Sequence, residues 1–237
     1  MATNHVAAVE RALSLLAAFT DQDDALALAE LARRTGLYKS TVLRLAATLE
    51  KAGYLRRLDT GQFRLGPMLL KLGHRYQRTF KLEEYVMPVL KRVAEKSGES
   101  ASLYVREGDK RICLFRVNSP SHRVLHYVTP GTQLPLETGA AGKVVLAYSE
   151  PHEQAYAHVR EEILVVSAVD RKSDTAAIAC PIFGGGGFVG AMSLAGPRTR
   201  FTEGAVRMMS RDLLEAAVGL SEALGGDSAS LRKKLPS

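Results

Sequence analysis

The sequence predicts an α+β protein in two parts. A small N-terminal module of three helices and a β-hairpin precedes a larger C-terminal domain built on an antiparallel sheet. Three observations predict this. Apolar residues recur at helical spacing through residues 5–51. Two short alternating segments flank a glycine turn at 59–61. Beyond residue 100, strand-like runs come in meanders while helical runs are grouped apart from them. The chain has 237 residues, of which 46% are hydrophobic. That excludes disorder for its bulk and leaves room for two cores.

Val6, Val9, Leu13 and Leu16, widened by Ala12, Leu15 and Phe19, predict an amphipathic helix over 5–19, interrupted at Asp21-Gln22-Asp23-Asp24. A second helix covers 28–35 with Leu28, Leu31 and Ala32 inward, and Gly36 is placed as its left-handed C-terminal cap. After the short Gly36-Leu37-Tyr38 turn, a third helix runs over 39–51 with Val42, Leu45 and Leu49 buried. Two short helices joined by a glycine-containing turn make a helix-turn-helix candidate. Tyr54–Leu58 and Gln62–Gly66, around Asp59-Thr60-Gly61, add the hairpin that would be the wing of a winged helix-turn-helix.

Charge gives this module a chemical sense. The chain holds 32 Lys+Arg against 25 Asp+Glu. Residues 33–64 alone carry eight basic side chains against Glu50 and Asp59, while residues 81–237 are close to balanced. Clustered positive charge beside balanced sequence is the footprint of a polyanion-binding module. The N-terminal residues of a recognition helix meet base edges and phosphates in the major groove. Lys39, Ser40, Thr41 and Arg44 occupy those places, Arg44 with reach to a guanine edge; Ser40 and Thr41 serve equally well as helix caps. Arg56, Arg57 and Arg64 would lie along the backbone or the minor groove. Double-stranded DNA is therefore the expected partner. One winged helix buries too little surface for high affinity, so a homodimer or homotetramer on a roughly palindromic operator is expected.

Pro67 opens a linker helix over 67–79, with Met68, Leu69, Leu72 and Tyr76 on one side. A helix over 81–97 follows, broken or kinked at Pro88. Strands are expected at 101–106, 111–117, 122–128, 163–169, 175–183 and 188–195. Helices are expected at 139–149, 151–160 and 202–223. The domains are thus 1–66, the linker 67–80, and 81–224, with a small polar tail, 225–237, expected to be disordered. Thr138-Gly139-Ala140-Ala141-Gly142-Lys143 puts small residues at a helix start. There backbone N–H groups and the helix dipole can hold a carboxylate without a charged side chain.

Val9-Glu10-Arg11-Ala12-Leu13, Leu28 to Leu37, Lys39 to Leu45 and Phe63-Arg64-Leu65-Gly66 together resemble the IclR-type bacterial transcriptional regulators, and the likeness continues in weaker form to about residue 222. The resemblance implies a GAF/PAS-like effector-binding domain that takes small organic acids. On it, the Thr138, Gly139, Ala140 and Ala141 loop and Ser193 would meet the effector, with Asp170 and Cys180 as lesser candidates. Packing inside the sheet is the commoner role for a buried small residue such as Cys180. The chain departs from the family pattern at Ala27, where a Ser or Thr cap is usual, at Tyr38 for a frequent proline, at Leu43 for a polar or aromatic residue, and at Ala195 for a second serine.

Other chemistries find little support. Residues 175–197 carry no charge and are long enough in principle for a membrane span, but are too rich in glycine and proline for a membrane helix, and read as a hairpin. The first twenty residues interrupt their apolar stretch with Glu10 and Arg11, unlike a signal peptide, and two cysteines make no disulfide framework, so a cytoplasmic protein is expected. Gly185 to Gly190 fits the dinucleotide pattern but is followed by β-prone residues, so no cofactor is expected. Gly142-Lys143 lacks the first glycine and the Ser/Thr of a phosphate loop. His122 and His126 form no zinc quartet, and no nucleophile–base pair can be nominated. A ligand-responsive regulator leads, ahead of a small-acid enzyme with an accessory DNA-binding module and a constitutive architectural DNA-binding protein.

Overall fold

A computed structural model describes residues 5–20, 22–79, 82–118, 128–167 and 174–235. The chain divides into two compact units, 1–80 and 81–237.

In the first unit, α1 (Ala7–Ala17), α2 (Leu28–Thr35) and α3 (Lys39–Lys51) precede β1 (Leu55–Arg57) and β2 (Phe63–Leu65), and α4 (Pro67–Thr79) closes it. Gly36 ends α2 at φ +68°, a left-handed conformation that costs a glycine little. The core is small: Leu15, Leu26, Leu31, Val42, Ala46, Leu55 and Phe63. Phe63 is central to it, and its backbone exchanges hydrogen bonds with Leu26 at 2.7 and 2.8 Å, tying the wing to the segment before α2. α1 differs from the sequence expectation. Leu15 is fully buried with Leu16 and Phe19 against the core, whereas Val6, Val9 and Leu13 are 63%, 54% and 58% exposed. The helix is apolar on two faces, and a core of this size covers only one.

In the second unit, α5 (Glu83–Ser97) leads into β3 (Ser100–Glu107) and β4 (Lys110–Val117). β5 (Gln133–Pro135), α6 (Gly139–Ser149), α7 (Ala157–Glu162) and β6 (Val165–Ser167) follow. β7 (Thr175–Gly184), β8 (Gly187–Pro197), α8 (Glu203–Ala223) and α9 (Ala229–Arg232) complete it. The six strands form one antiparallel sheet in the order β5-β4-β3-β8-β7-β6. α6 packs on one face, within a cluster that includes Tyr104, Cys113, Ala179 and Ala191. α5 and α8 pack on the other.

Several expectations are corrected. α5 runs through Pro88 unbroken, with Val86 and Leu90 buried on either side of it. The helix expected over 151–160 is a 3₁₀ turn at Gln154–Tyr156 followed by the shorter α7, and β5 had no signal beyond three residues around a proline. The strand at 163–169 shortens to β6, because Ile163 sits at φ +67°, and 168 and 169 lie outside the described residues. The strand expected at 122–128 falls almost wholly outside them, and Val128 is not in a strand. The tail is ordered through 235. α9 buries Leu231 completely, and Glu222 accepts from Ser228 at 2.6 Å and from the Arg232 guanidinium.

Candidate nucleic-acid interface and effector site

α3 buries Val42 and Ala46 and turns Lys39, Ser40, Leu43, Arg44, Ala47, Thr48 and Lys51 outward. Helical periodicity alone produces this division, since residues three and four apart share a face. Ser40 and Thr41 do not cap the helix: Tyr38 occupies the N-cap in an extended conformation with no side-chain cap bond, and its ring is 85% exposed. On the wing, Arg56 pairs directly with Arg64 across the β1–β2 ladder, both exposed. Like charges directly opposite on a strand pair repel, a cost that an anionic partner would remove. The Arg57 backbone N–H donates to Glu50 Oε1 on α3 at 2.8 Å, and its guanidinium lies 5.6 Å from the centre of the Phe63 ring. The wing is thus fixed to the outward end of α3.

Two of the eight basic residues in 33–64 are committed elsewhere. Arg33 pairs with Glu30 at 2.6 Å, and Arg34 pairs with Asp23 at 2.5 Å and Glu30 at 2.7 Å. The Arg34 guanidinium, with help from Thr20, holds the Asp23 carboxyl well below its usual range, and Arg33 and Arg34 hold Glu30 at about 2. Because both folded values are depressed, the stability these groups contribute is complete above the unfolded carboxylate range of about 4. It is lost as pH falls through the folded values. The N-terminal unit should therefore melt at lower temperature at pH 3 than at pH 6, and Arg34→Gln should flatten that dependence. An unchanged pH slope in Arg34→Gln would contradict the assignment.

In the second unit, Thr138 is the N-cap of α6 and Gly139 takes φ +69°. Ala140, Ala141 and Gly142 are buried. The first N–H groups of any helix lack partners within it, and among the described residues no other group accepts from those of Ala140 and Ala141. Ser193 pairs with Ala179 on one side and Ser102 on the other, and Ser102 pairs with Arg116. Cross-strand partners share a face, and Ala179 belongs to the α6 cluster. Arg116, Ser102, Ser193 and Ala179 therefore form one row on the α6-facing side. Arg116 donates to Ser102 Oγ at 3.0 Å and to Asn118 Oδ1 at 2.7 Å, and among the described residues it has no carboxylate partner. Burial pushes the nearby Cys113 thiol up to about 11, so it stays protonated.

Cys180 departs from the expectation of an effector-side residue. It pairs with Met192 on the opposite face, fully buried, its Sγ 3.9 Å from the Leu213 carbonyl of α8. Strand alternation decides this: Ala179 takes the α6 side, so Cys180 cannot. Asp170 lies outside the described residues, as do His122 and His126.

Sequence reasoning missed Ser102, Arg116 and Arg111. The first two are brought to Ser193 only by long-range strand pairing, which no local pattern reveals. Arg111 is 7% exposed; its Nη1 donates to the Thr138 carbonyl at 2.8 Å and to that of Pro135, and its guanidinium lies 5.4 Å from the centre of the Tyr104 ring. Its Nε has no partner among the described residues, and burial lowers its pKa. A basic residue inside an apolar strand, at Lys110-Arg111-Ile112-Cys113-Leu114, was the available signal. An apolar cavity of about 460 Å³, lined by Met87, Pro88, Ala94 and Val117 among others, lies on the α5 side, away from α6.

The IclR helix-turn-helix domain model matches residues 8–59, and the model of the bacterial transcriptional regulator IclR C-terminal domain matches 74–164. The chain belongs to the IclR family of DNA-binding transcriptional regulators. Among its IclR-family relatives, the HTH-type transcriptional regulator KipR of Bacillus subtilis is 26% identical over 92% of this chain and 96% of its own. The IclR of Thermotoga maritima superposes with a TM-score of 0.78 at 20% identity, covering 93% of this chain and 100% of that one. An IclR homolog from Microbacterium hydrocarbonoxydans, solved in complex with 4-hydroxybenzoate, gives 0.77 at 23% identity over 96% and 100%. Both structures share the fold. No helix among the described residues is long and apolar enough to cross a membrane.

Proposed function

We propose that this IclR-family protein is a ligand-responsive regulator that binds a palindromic DNA operator and releases or grips it in response to a small carboxylic acid. The observation that carries the DNA half is the outward face of α3 continuing into the opposed Arg56–Arg64 pair. Among the described residues, Lys39, Arg44, Arg56 and Arg64 form no ion pair with a carboxylate. Ser40 and Thr41, free of capping duty, are placed to hold phosphate. Lys39, Ser40, Thr41 and Arg44 would enter the groove, and Arg56, Arg57 and Arg64 would follow the backbone.

The effector half rests on the row Arg116–Ser102–Ser193 and on the start of α6 beside Arg111. Among the described residues two guanidinium groups lack carboxylate partners, Arg116 in the row and Arg111 beside the unpaired N–H groups at the start of α6, and both favour an anionic ligand. Thr138, Gly139, Ala140, Ala141 and Ser193 would contact it. That a structural relative was solved with 4-hydroxybenzoate supports an acid of this kind. Assembly as a homodimer or homotetramer is supported by the exposed apolar residues Val6, which caps α1, and Val9 and Leu13 on it, and by Leu70, 79% exposed, on α4. A protein of this kind works in the cytoplasm, needs no cofactor, and catalyses nothing.

The test is to select a duplex from a random library with the full-length protein and titrate aromatic and aliphatic acids, 4-hydroxybenzoate first, while following binding. A saturable change in DNA affinity is expected. Conversion of an acid to product would favour an enzyme, and indifference to every acid a constitutive DNA-binding protein. Ser193→Ala should shift the response to higher acid concentration about five- to tenfold, the worth of one hydrogen bond, with an unchanged melting temperature. Among the described residues the Ser193 hydroxyl donates only to the Leu194 carbonyl, at 3.5 Å. An unshifted response would remove Ser193 from the site.

A further inference from the structure

The outward face of α3 is not uniformly polar. Leu43 is 39% exposed in the midst of Ser40, Arg44 and Lys51, and Ala47, one turn further on, is exposed on the same side. Val42 and Ala46 fill the buried side of α3, and Leu43 is not among the buried residues of the core. The side chain has an apolar surface and no hydrogen-bonding group, so it cannot read a guanine, an adenine or a cytosine edge, or hold a phosphate. One feature of the major groove does match it: the C5-methyl group of thymine, which apolar side chains contact. Glu50, on the same flank, is bonded to the Arg57 backbone and so unavailable to compete for this strip.

Resting on the DNA-binding reading above, we infer that Leu43, with Ala47 beside it, reads thymine methyl groups in the major groove. Each half-site then carries a thymine at a fixed step from the base pair that Arg44 contacts. Specificity in this chain is divided between a charged reader, Arg44, and an apolar one, Leu43, one residue apart on the same helix. The apolar reader discriminates against uracil as well as against the other bases, because only the methyl distinguishes thymine from uracil.

The experiment uses the full-length protein and the duplex it selects from a random library. Each thymine is replaced singly by deoxyuridine, and binding is measured at one salt concentration for wild type and for Leu43→Ala. At one thymine of each half-site, deoxyuridine should weaken wild-type binding about fourfold, the worth of one buried methyl group. The same replacement should leave Leu43→Ala unaffected. Leu43→Asn, reselected on the library, should lose the preference for thymine at that position and keep the rest of the site. Leu43 is exposed, so both variants should melt with wild type. Deoxyuridine effects that are absent everywhere, or equal in wild type and Leu43→Ala, would overturn the inference while leaving DNA binding intact. Failure to enrich any duplex would overturn the DNA-binding reading, and the inference with it.

Discussion

Phe63→Ala should unfold the N-terminal unit and abolish DNA binding while the C-terminal unit stays folded. Phe63 is 1% exposed, its ring is the largest side chain in a core of seven, and its backbone bridges to Leu26. Truncating a buried phenylalanine costs about 3–5 kcal/mol, comparable to the whole stability of a module this small. The ring also supports the Arg57 guanidinium, so the wing loses its seat along with the core. Calorimetry should show loss of one transition and retention of the other. Two unchanged transitions would mean that the module does not depend on this core.

Arg44→Ala should lower the discrimination between the selected duplex and a scrambled one by roughly 1–3 kcal/mol, the range of one bidentate base contact. The paired change Arg56→Gln with Arg64→Gln should act differently. It weakens binding to all duplexes alike, and the slope of log affinity against log salt should fall by about one for each phosphate that the wing no longer neutralises. It should also leave the hairpin no less stable, since it removes the repulsion between two directly opposed arginines. A sequence-selective loss in the wing variant, or a uniform loss in Arg44→Ala, would reverse the roles assigned to wing and helix.

How much of the molecule was legible in the sequence follows the range of the interactions. α2, α3, α4 and the hairpin are set by local periodicity, a glycine cap and a proline start, and their bounds could be read almost to the residue. The strands β7 and β8 were legible because a glycine-rich turn separates two β-prone runs. Which side of α1 faces inward was not, because that helix offers two apolar faces and tertiary packing selects Leu15 over Leu13. The tail looked polar enough for disorder, yet Leu231 is buried and Arg232 bonds to Glu222 on α8. At the proposed effector site, the helix start was readable from its small residues. The face on which Cys180 falls, and the meeting of Arg116, Ser102 and Ser193, depend on strand register set by residues far apart in the chain. Arg33 and Arg34 show the same limit for charge: the sequence places them in the basic cluster, and the fold pairs them with Glu30 and Asp23.

Above all, we propose that the basic residues of α3 and the wing form a duplex-DNA footprint that recognises sequence. Measuring the affinity of the full-length protein for its selected duplex, a scrambled duplex and single-stranded RNA of equal length, across a salt series, tests this most directly. The selected duplex should be preferred about a thousandfold or more over the scrambled one at physiological salt, with both duplex affinities falling steeply as salt rises. Equal affinity for all three, falling with salt along one common line, would show a charged surface without a recognition site and would contradict the account.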